Sequence, residues 1–98
     1  MNIVKTREND KMVLSLEGRL DTMTAPALEA EVKGSIDGVK ELVFDFEKLE
    51  YVSSAGLRVL LASQKIMNKQ GSMCILHVNE VIMEVFEVTG FSDILTIQ

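Results

Sequence analysis

A single cysteine, Cys74, excludes an internal disulfide and suits a reducing compartment. A single histidine, His77, leaves little for metal chemistry, because a tetrahedral zinc site needs more nitrogen or sulfur ligands than these two residues supply. The two lie three apart in what reads as a strand. They should therefore face opposite ways, Cys74 into the core and His77 onto a more open surface. Basic residues are in the minority: 10 Lys and Arg against 15 Asp and Glu leave a net charge of -5. The acids are spread along the chain rather than gathered in a tail, and such a surface repels nucleic acid and anionic lipid. No apolar run reaches membrane-spanning length, since Arg58 and Lys65 interrupt the longest candidate, and Met1 to Glu8 has no apolar signal core. Neither a Walker loop nor a dinucleotide fingerprint occurs; Gly34-Ser35-Ile36-Asp37-Gly38 lacks both the spacing and the preceding strand. These absences predict a cytoplasmic protein with no cofactor, no bound metal, and neither nucleic acid nor membrane as a partner.

What is present suits one domain spanning residues 1–98. Hydrophobic residues make up 47%, enough for an unaided core, and about 65% of the unfolded chain's surface is expected to be buried on folding. Ile3 to Glu8 reads as an edge strand whose Lys5, Arg7 and Glu8 discourage pairing with other chains. Asn9-Asp10-Lys11 is turn chemistry, and Met12 to Glu17 alternates as a second strand. Gly18 to Met23 reads as a loop into a helix with Thr24 as N-cap and Pro26 in the first turn, Leu28, Val32 and Ile36 facing inward. Leu42, Phe44 and Phe46 alternate with Glu41, Val43 and Asp45 in the clearest strand. The next helix runs from Ser54 to Gln70, with Ala55, Val59, Ala62 and Ile66 inward, broadened by Leu57, Leu60 and Leu61, and with Arg58, Gln64, Lys65, Asn68 and Lys69 outward. Gly71 ends it. Met73 to Val78 is a strand, parallel to its predecessor because a helix joins them. Asn79 caps a last helix with Val81, Ile82, Val85 and Phe86 inward, and Phe91 to Ile97 is a short strand or an extended tail. The expected fold is α/β, a mixed sheet of four to five strands in the order β-β-α-β-α-β-α. Because the second and third strands are half polar, helices are expected mainly on one face.

The chain is organised around Phe44 to Leu61, read as a buried strand, a short acidic turn, and two serines opening an apolar helix. A nucleophile elbow needs glycine two residues before and two after the serine; Ser54 has Gly56 after it but Val52 before it, so an enzyme is not expected. The plain structural reading makes Ser53 or Ser54 an N-cap and nothing more. Three features point to function. The pair sits at the carboxyl edge of a parallel strand, where α/β sites gather. Ala55 and Gly56 are small, leaving the hydroxyls uncovered and open to another protein's backbone. Arg58 lies one turn beyond Ser54 and could reach back to a phosphate there, although alone it reads as a solvated surface charge.

Val52-Ser53-Ser54-Ala55-Gly56-Leu57-Arg58-Val59-Leu60-Leu61 resembles the signature of the anti-sigma factor antagonist family, bacterial members of the STAS domain superfamily. Gly18-Arg19-Leu20-Asp21 is similar to that family's Gly-x-Leu-Asp loop, Leu42 to Phe46 to its central strand, and Val85 to Phe91 to its closing helix and glycine turn. The resemblance implies a STAS domain that binds an anti-sigma factor with serine kinase activity and thereby frees a sigma factor. It also implies phosphorylation at the position of Ser54, which blocks binding, with a phosphoserine phosphatase as a further partner. Family members often carry Asp-Ser-Ser-Gly or Asp-Ser-Thr-Gly where this chain has Ser53-Ser54-Ala55-Gly56, which makes Ser53 the second candidate. Aligning Gly56-Leu57 favours Ser54. Asp21, Thr22, Met23 and Thr24 are expected on the same edge, forming a partner surface with Ser53, Ser54, Ala55, Gly56, Leu57 and Arg58. Met23 suits an adaptable contact or, equally, the core. The alternative is a constitutive STAS subunit of a transporter or signalling complex, with Ser54 only a cap.

Overall fold

The alternating residues Met12, Leu14, Leu16 and Leu42, Phe44, Phe46 lie side by side on two central strands, and all six side chains are buried. In the computed structural model, which describes residues 1–98, the sheet holds β1 (Asn2–Glu8), β2 (Lys11–Leu20), β3 (Glu41–Val52) and β4 (Ser72–Leu76) in that spatial order. β1 and β2 form an antiparallel hairpin; β2 with β3 and β3 with β4 run parallel. Helices α1 (Ala25–Ser35), α2 (Ser54–Gln70) and α3 (Glu80–Thr89) follow in the expected α/β order, then a short 3-10 turn, Phe91–Asp93. The anticipated final strand is reduced to one bridge, Ile97 beside Ile75.

One apolar cluster joins the three helices to a single face of the sheet. Val13 and Ser15 of β2, Asp45 of β3, and Cys74 and Leu76 of β4 remain half-buried on the other face, so the expectation of one helix-free side holds. Val43 on that side is buried nonetheless. The basic residues of β1 do more than blunt an edge. Lys5 donates to Ser35 Oγ and pairs with Glu31 at 3.0 Å, while Arg7 donates to the carbonyls of Ser35 and Asp37. Both therefore fasten the end of α1, where helix carbonyls lack intrahelical partners.

Several expectations need correction. No acidic turn precedes the serines: β3 continues through Glu47 to Val52, and β2 continues through Gly18 to Leu20. Two register shifts, between Ser15 and Glu17 and between Gly18 and Arg19, each place an extra residue on β3. Each such bulge breaks the period-two alternation, so Phe46, Leu49 and Val52 all end buried although they are spaced by three. Cys74 is half-buried on the helix-free face rather than in the core, because it pairs with Val43 on that side. β4 ends at Leu76, and His77 turns off it with φ 60°. On α2 the inward stripe is Gly56, Leu57, Leu60, Ser63, Gln64 and Met67 together with Val59. Ala62 is exposed, and Gln64 is buried, donating to Asn68 Oδ1. Val81 is exposed, since Ile82 and Phe86 take α3's inward line. Asn79 caps α3 as expected, accepting from Ile82 N at 2.8 Å.

Gly71 closes α2 against the segment entering β3. A Cβ there would stand 1.9 Å from the Lys40 carbonyl oxygen, which is itself held by Ser72 N. Neither backbone can move without breaking the junction. Gly71→Ala is expected to destabilise the fold by about 2–3 kcal/mol, lowering the thermal midpoint by roughly 10 °C or more. Calorimetry of the variant checks this.

Candidate functional site

Pairing of Leu20 with Val52 brings the ends of β2 and β3 together, so the loops entering α1 and α2 leave the sheet at one edge. The join is tightened by Ser53 N, which donates to Leu20 O at 2.8 Å. Gly56, in the first turn of α2, lies on the same two side chains. A Cβ at this position would be 2.6 Å from Leu20 Cγ and 3.1 Å from Val52 Cγ1. Its smallness lets α2 approach the sheet rather than another protein's backbone, and Gly56 and Leu57 are both buried. They set the site from beneath and are not part of its surface.

Ser53 occupies the N-cap in an extended conformation, but its hydroxyl makes no capping bond and is buried without a partner. Ser54 is the first helical residue and is exposed, so it is not the cap. Leu57 N is the first amide to bond back, to Ser53 O, which leaves the N–H groups of Ser54, Ala55 and Gly56 ahead of the helical ladder. Arg58 is exposed and enters no ion pair or hydrogen bond.

The facing loop is organised by Asp21. Its Oδ1 accepts from Met23 N at 3.0 Å and Thr24 N at 3.2 Å. Thr24 stands at the N-cap of α1, yet its hydroxyl is turned back onto the strand, accepting from Asp21 N and donating to Arg19 O. The carboxylate, not the threonine, thus caps the turn. This geometry holds Met23 outward, 86% exposed, and removes it from the core. Thr22 is exposed and, with Ala25, Pro26, Ala55, Arg58 and Val59, lines a cleft of about 160 Å³ between the two helix starts. The two segments singled out in the sequence therefore meet. Two neighbours were not anticipated: the Arg19 guanidinium lies 4.7 Å from the centre of the Tyr51 ring, flanking the edge. The Gly-Arg-Leu-Asp loop carried Arg19 in plain view, but its partner became visible only once β3 reached residue 51. His77, the one imidazole, pairs with Asp45 on the helix-free face and takes no part in this site.

The sequence model of the STAS domain family matches residues 2–98, and the chain belongs to that family. The anti-sigma-B factor antagonist of Bacillus subtilis is 32% identical over 101 residues, covering 99% of this chain and 92% of the relative. Among solved structures, an anti-sigma factor antagonist from Mycobacterium paratuberculosis superposes with a TM-score of 0.88 at 24% identity, over 98% of this chain and 83% of its own. The anti-sigma factor antagonist SpoIIAA, at 19% identity, superposes in its unphosphorylated form with a TM-score of 0.86 over 99% of this chain and 88% of its own. Its phosphorylated form, that of Bacillus, gives 0.78 over 99% and 91%.

Two outcomes follow from the geometry. A cap serine usually contributes about 1 kcal/mol, but a buried hydroxyl without a partner contributes nothing comparable. Ser53→Ala should therefore leave stability within about 0.5 kcal/mol of the parent or raise it, as read by denaturant unfolding. For Asp21, desolvation pushes the carboxyl up, but the Met23 and Thr24 amides, the Thr24 hydroxyl and Arg19 together hold it below its ordinary value of 3.8. A depressed carboxyl stabilises the fold above its unfolded pKa and loses that contribution as pH falls through the folded value. Carbon NMR titration should place Asp21 below 3.8, and Thr24→Val should move it back upward.

Proposed function

We propose that this STAS domain is an anti-sigma factor antagonist. In its unphosphorylated form it binds an anti-sigma factor that is also a serine kinase, so that a sigma factor is freed. Phosphorylation of Ser54 blocks that binding, and a phosphoserine phosphatase reverses the block. The names of the Bacillus subtilis relative and of the superposed structures support the reading, and SpoIIAA is known in both phosphorylated and unphosphorylated forms. The observation that carries it is the exposed Ser54 at the first position of α2, next in the chain to Ala55, which lines the interhelical cleft. Ser53, with its oxygen buried, is the poorer acceptor.

In the transfer, the Ser54 oxygen attacks the γ-phosphorus of the kinase-bound nucleotide, the bond to the leaving oxygen breaks, and the hydroxyl proton passes to a base of the kinase. The chemistry belongs to the partner, and this chain supplies only the acceptor. Phosphorylation adds about -1.5 to -2 charge with three acceptor oxygens. The free N–H groups at the start of α2 and the helix dipole accommodate that anion within the chain. Arg58, one turn on and unpaired, is placed to share it. The fold is thus spared, and the cost falls on the complex. A dianion desolvated in an interface without a counter-charge costs several kcal/mol. Asp21, Thr22, Met23 and Thr24 form one bank of the partner surface, and Ser54, Ala55 and Arg58 form the other, with Ser53 holding that bank from beneath. Met23 provides the adaptable apolar contact. Residues 1–98 act as one module in the cytoplasm.

Ser54→Asp is the deciding variant, because position 54 is exposed and charge there suits a helix start. Its thermal midpoint should stay within about 3 °C of the parent. Its affinity for the cognate anti-sigma kinase should drop by about 100-fold or more. Ser54→Ala should bind as the parent does but accept no phosphate from that kinase and ATP. Unfolding of Ser54→Asp, or phosphate on Ser54→Ala, contradicts the mechanism.

A further inference from the structure

We propose that Asp45, Glu47 and His77, on the helix-free face of the sheet, form a binding site for a divalent transition-metal cation of the zinc class. One donor atom from each of the three lies within 4.8 Å of the others. They come from two separate segments. Asp45 and Glu47 are alternate residues of β3, which puts both on one face at the bulge opposite Leu16. His77 follows the end of β4 in the left-handed region, at φ 60°, and this bend turns its ring back onto Asp45, Nδ1 to Oδ1 at 2.9 Å.

Beyond the His77–Asp45 pair, Glu47 lies close enough to the imidazole to favour its charged form through space, without a bond to it. The Glu47 carboxylate takes no hydrogen bond and no salt bridge, although it stands beside a second carboxylate; only its backbone N–H bonds to Asp45. Like charges at that separation repel, and a cation between them removes the repulsion. Zinc bonds of about 2.0–2.2 Å put neighbouring ligands roughly 3.3–3.5 Å apart. The imidazole–carboxylate separation is already shorter than this, and rotation of the exposed Glu47 side chain closes the rest. An open groove of about 250 Å³ adjoins the site, with Ser15 and Glu17 on its wall, so water can complete the coordination. One imidazole with two carboxylates favours zinc, cobalt or nickel over magnesium and calcium, which take oxygen ligands. The site is independent of the Ser54 edge: Asp45 lies on the opposite side of the sheet from the helices.

The test uses the full chain at about pH 8. The pH matters because the hydrogen bond to Asp45 raises the His77 pKa and a bound cation must displace that proton. Calorimetric titration with zinc chloride should show one site per chain, with a dissociation constant between about 1 and 100 µM. Cobalt(II) should develop a visible band on binding. His77→Ala and Asp45→Asn should each weaken zinc binding by more than about tenfold and remove the cobalt band; both positions lie outside the core, so the variants fold. Cys74→Ser, at the half-buried thiol on the same face, should leave affinity unchanged. Undiminished binding by His77→Ala, loss of binding in Cys74→Ser, or no stoichiometric zinc uptake by the parent overturns the site.

Discussion

The close approach of α2 to the end of the sheet is the constraint on which the edge depends. Gly56 permits it, because any side chain there would occupy the space of Leu20 and Val52. The two residues it rests on are themselves partners in the parallel ladder. Three separate pieces of sequence, the Gly-Arg-Leu-Asp segment, the end of β3 and the small-residue start of α2, are thereby locked in a single packing event. Interiors packed to this density do not deform gradually. The loop carrying Met23 and the helix start carrying Ser54 consequently keep a fixed relation across their cleft, which is what a surface read by another protein requires.

That edge also separates two jobs that neighbouring serines could share. Ser53 is spent on the join: its amide bonds Leu20 O, its carbonyl accepts the first helical bond, and its side chain is enclosed. Ser54, one residue later, contributes nothing to the packing and keeps its hydroxyl free. A charge added there meets unpaired amides rather than a core. In the proposed switch this division explains how a large electrostatic change can alter an interface while leaving the domain intact.

Much of this was legible in the sequence, for reasons that differ by element. The bounds of α2 were legible because a serine start and Gly71 mark its ends, and Asn79 announced the cap of α3. The strands were read only as far as their alternation lasted. Beyond Phe46 and Glu17 the bulges shift the phase, and acidic residues on an exposed edge imitate a turn, so Leu49, Tyr51 and Val52 were not recognised as strand. The two loops were expected at one edge and the structure brings them together there, with Ala55 on the cleft between them, whereas Gly56 faces inward. Thr24 holds the expected N-cap position of α1 but supplies no capping bond. Both Thr24 and Asp21 are able caps, and sequence spacing cannot say which side chain bonds to Arg19 and which to the turn. Gln64 offered no signal at all, because its polar character hides a position the helix turns inward.

The two faces of the sheet show why the bulges matter beyond register. On the helix side they let Phe46, Leu49 and Val52 all point inward, extending the core to the edge where Gly56 seats. On the open side, Asp45 and Glu47 converge toward His77. A regular β3 would keep its inward residues at every second position and would lose either Leu49 or Val52 to solvent. The same irregularity that carries the core out to the Ser54 edge thus lies beside the Asp45–His77 pair and Glu47 on the far side of the sheet, and one local change in β3 touches both faces.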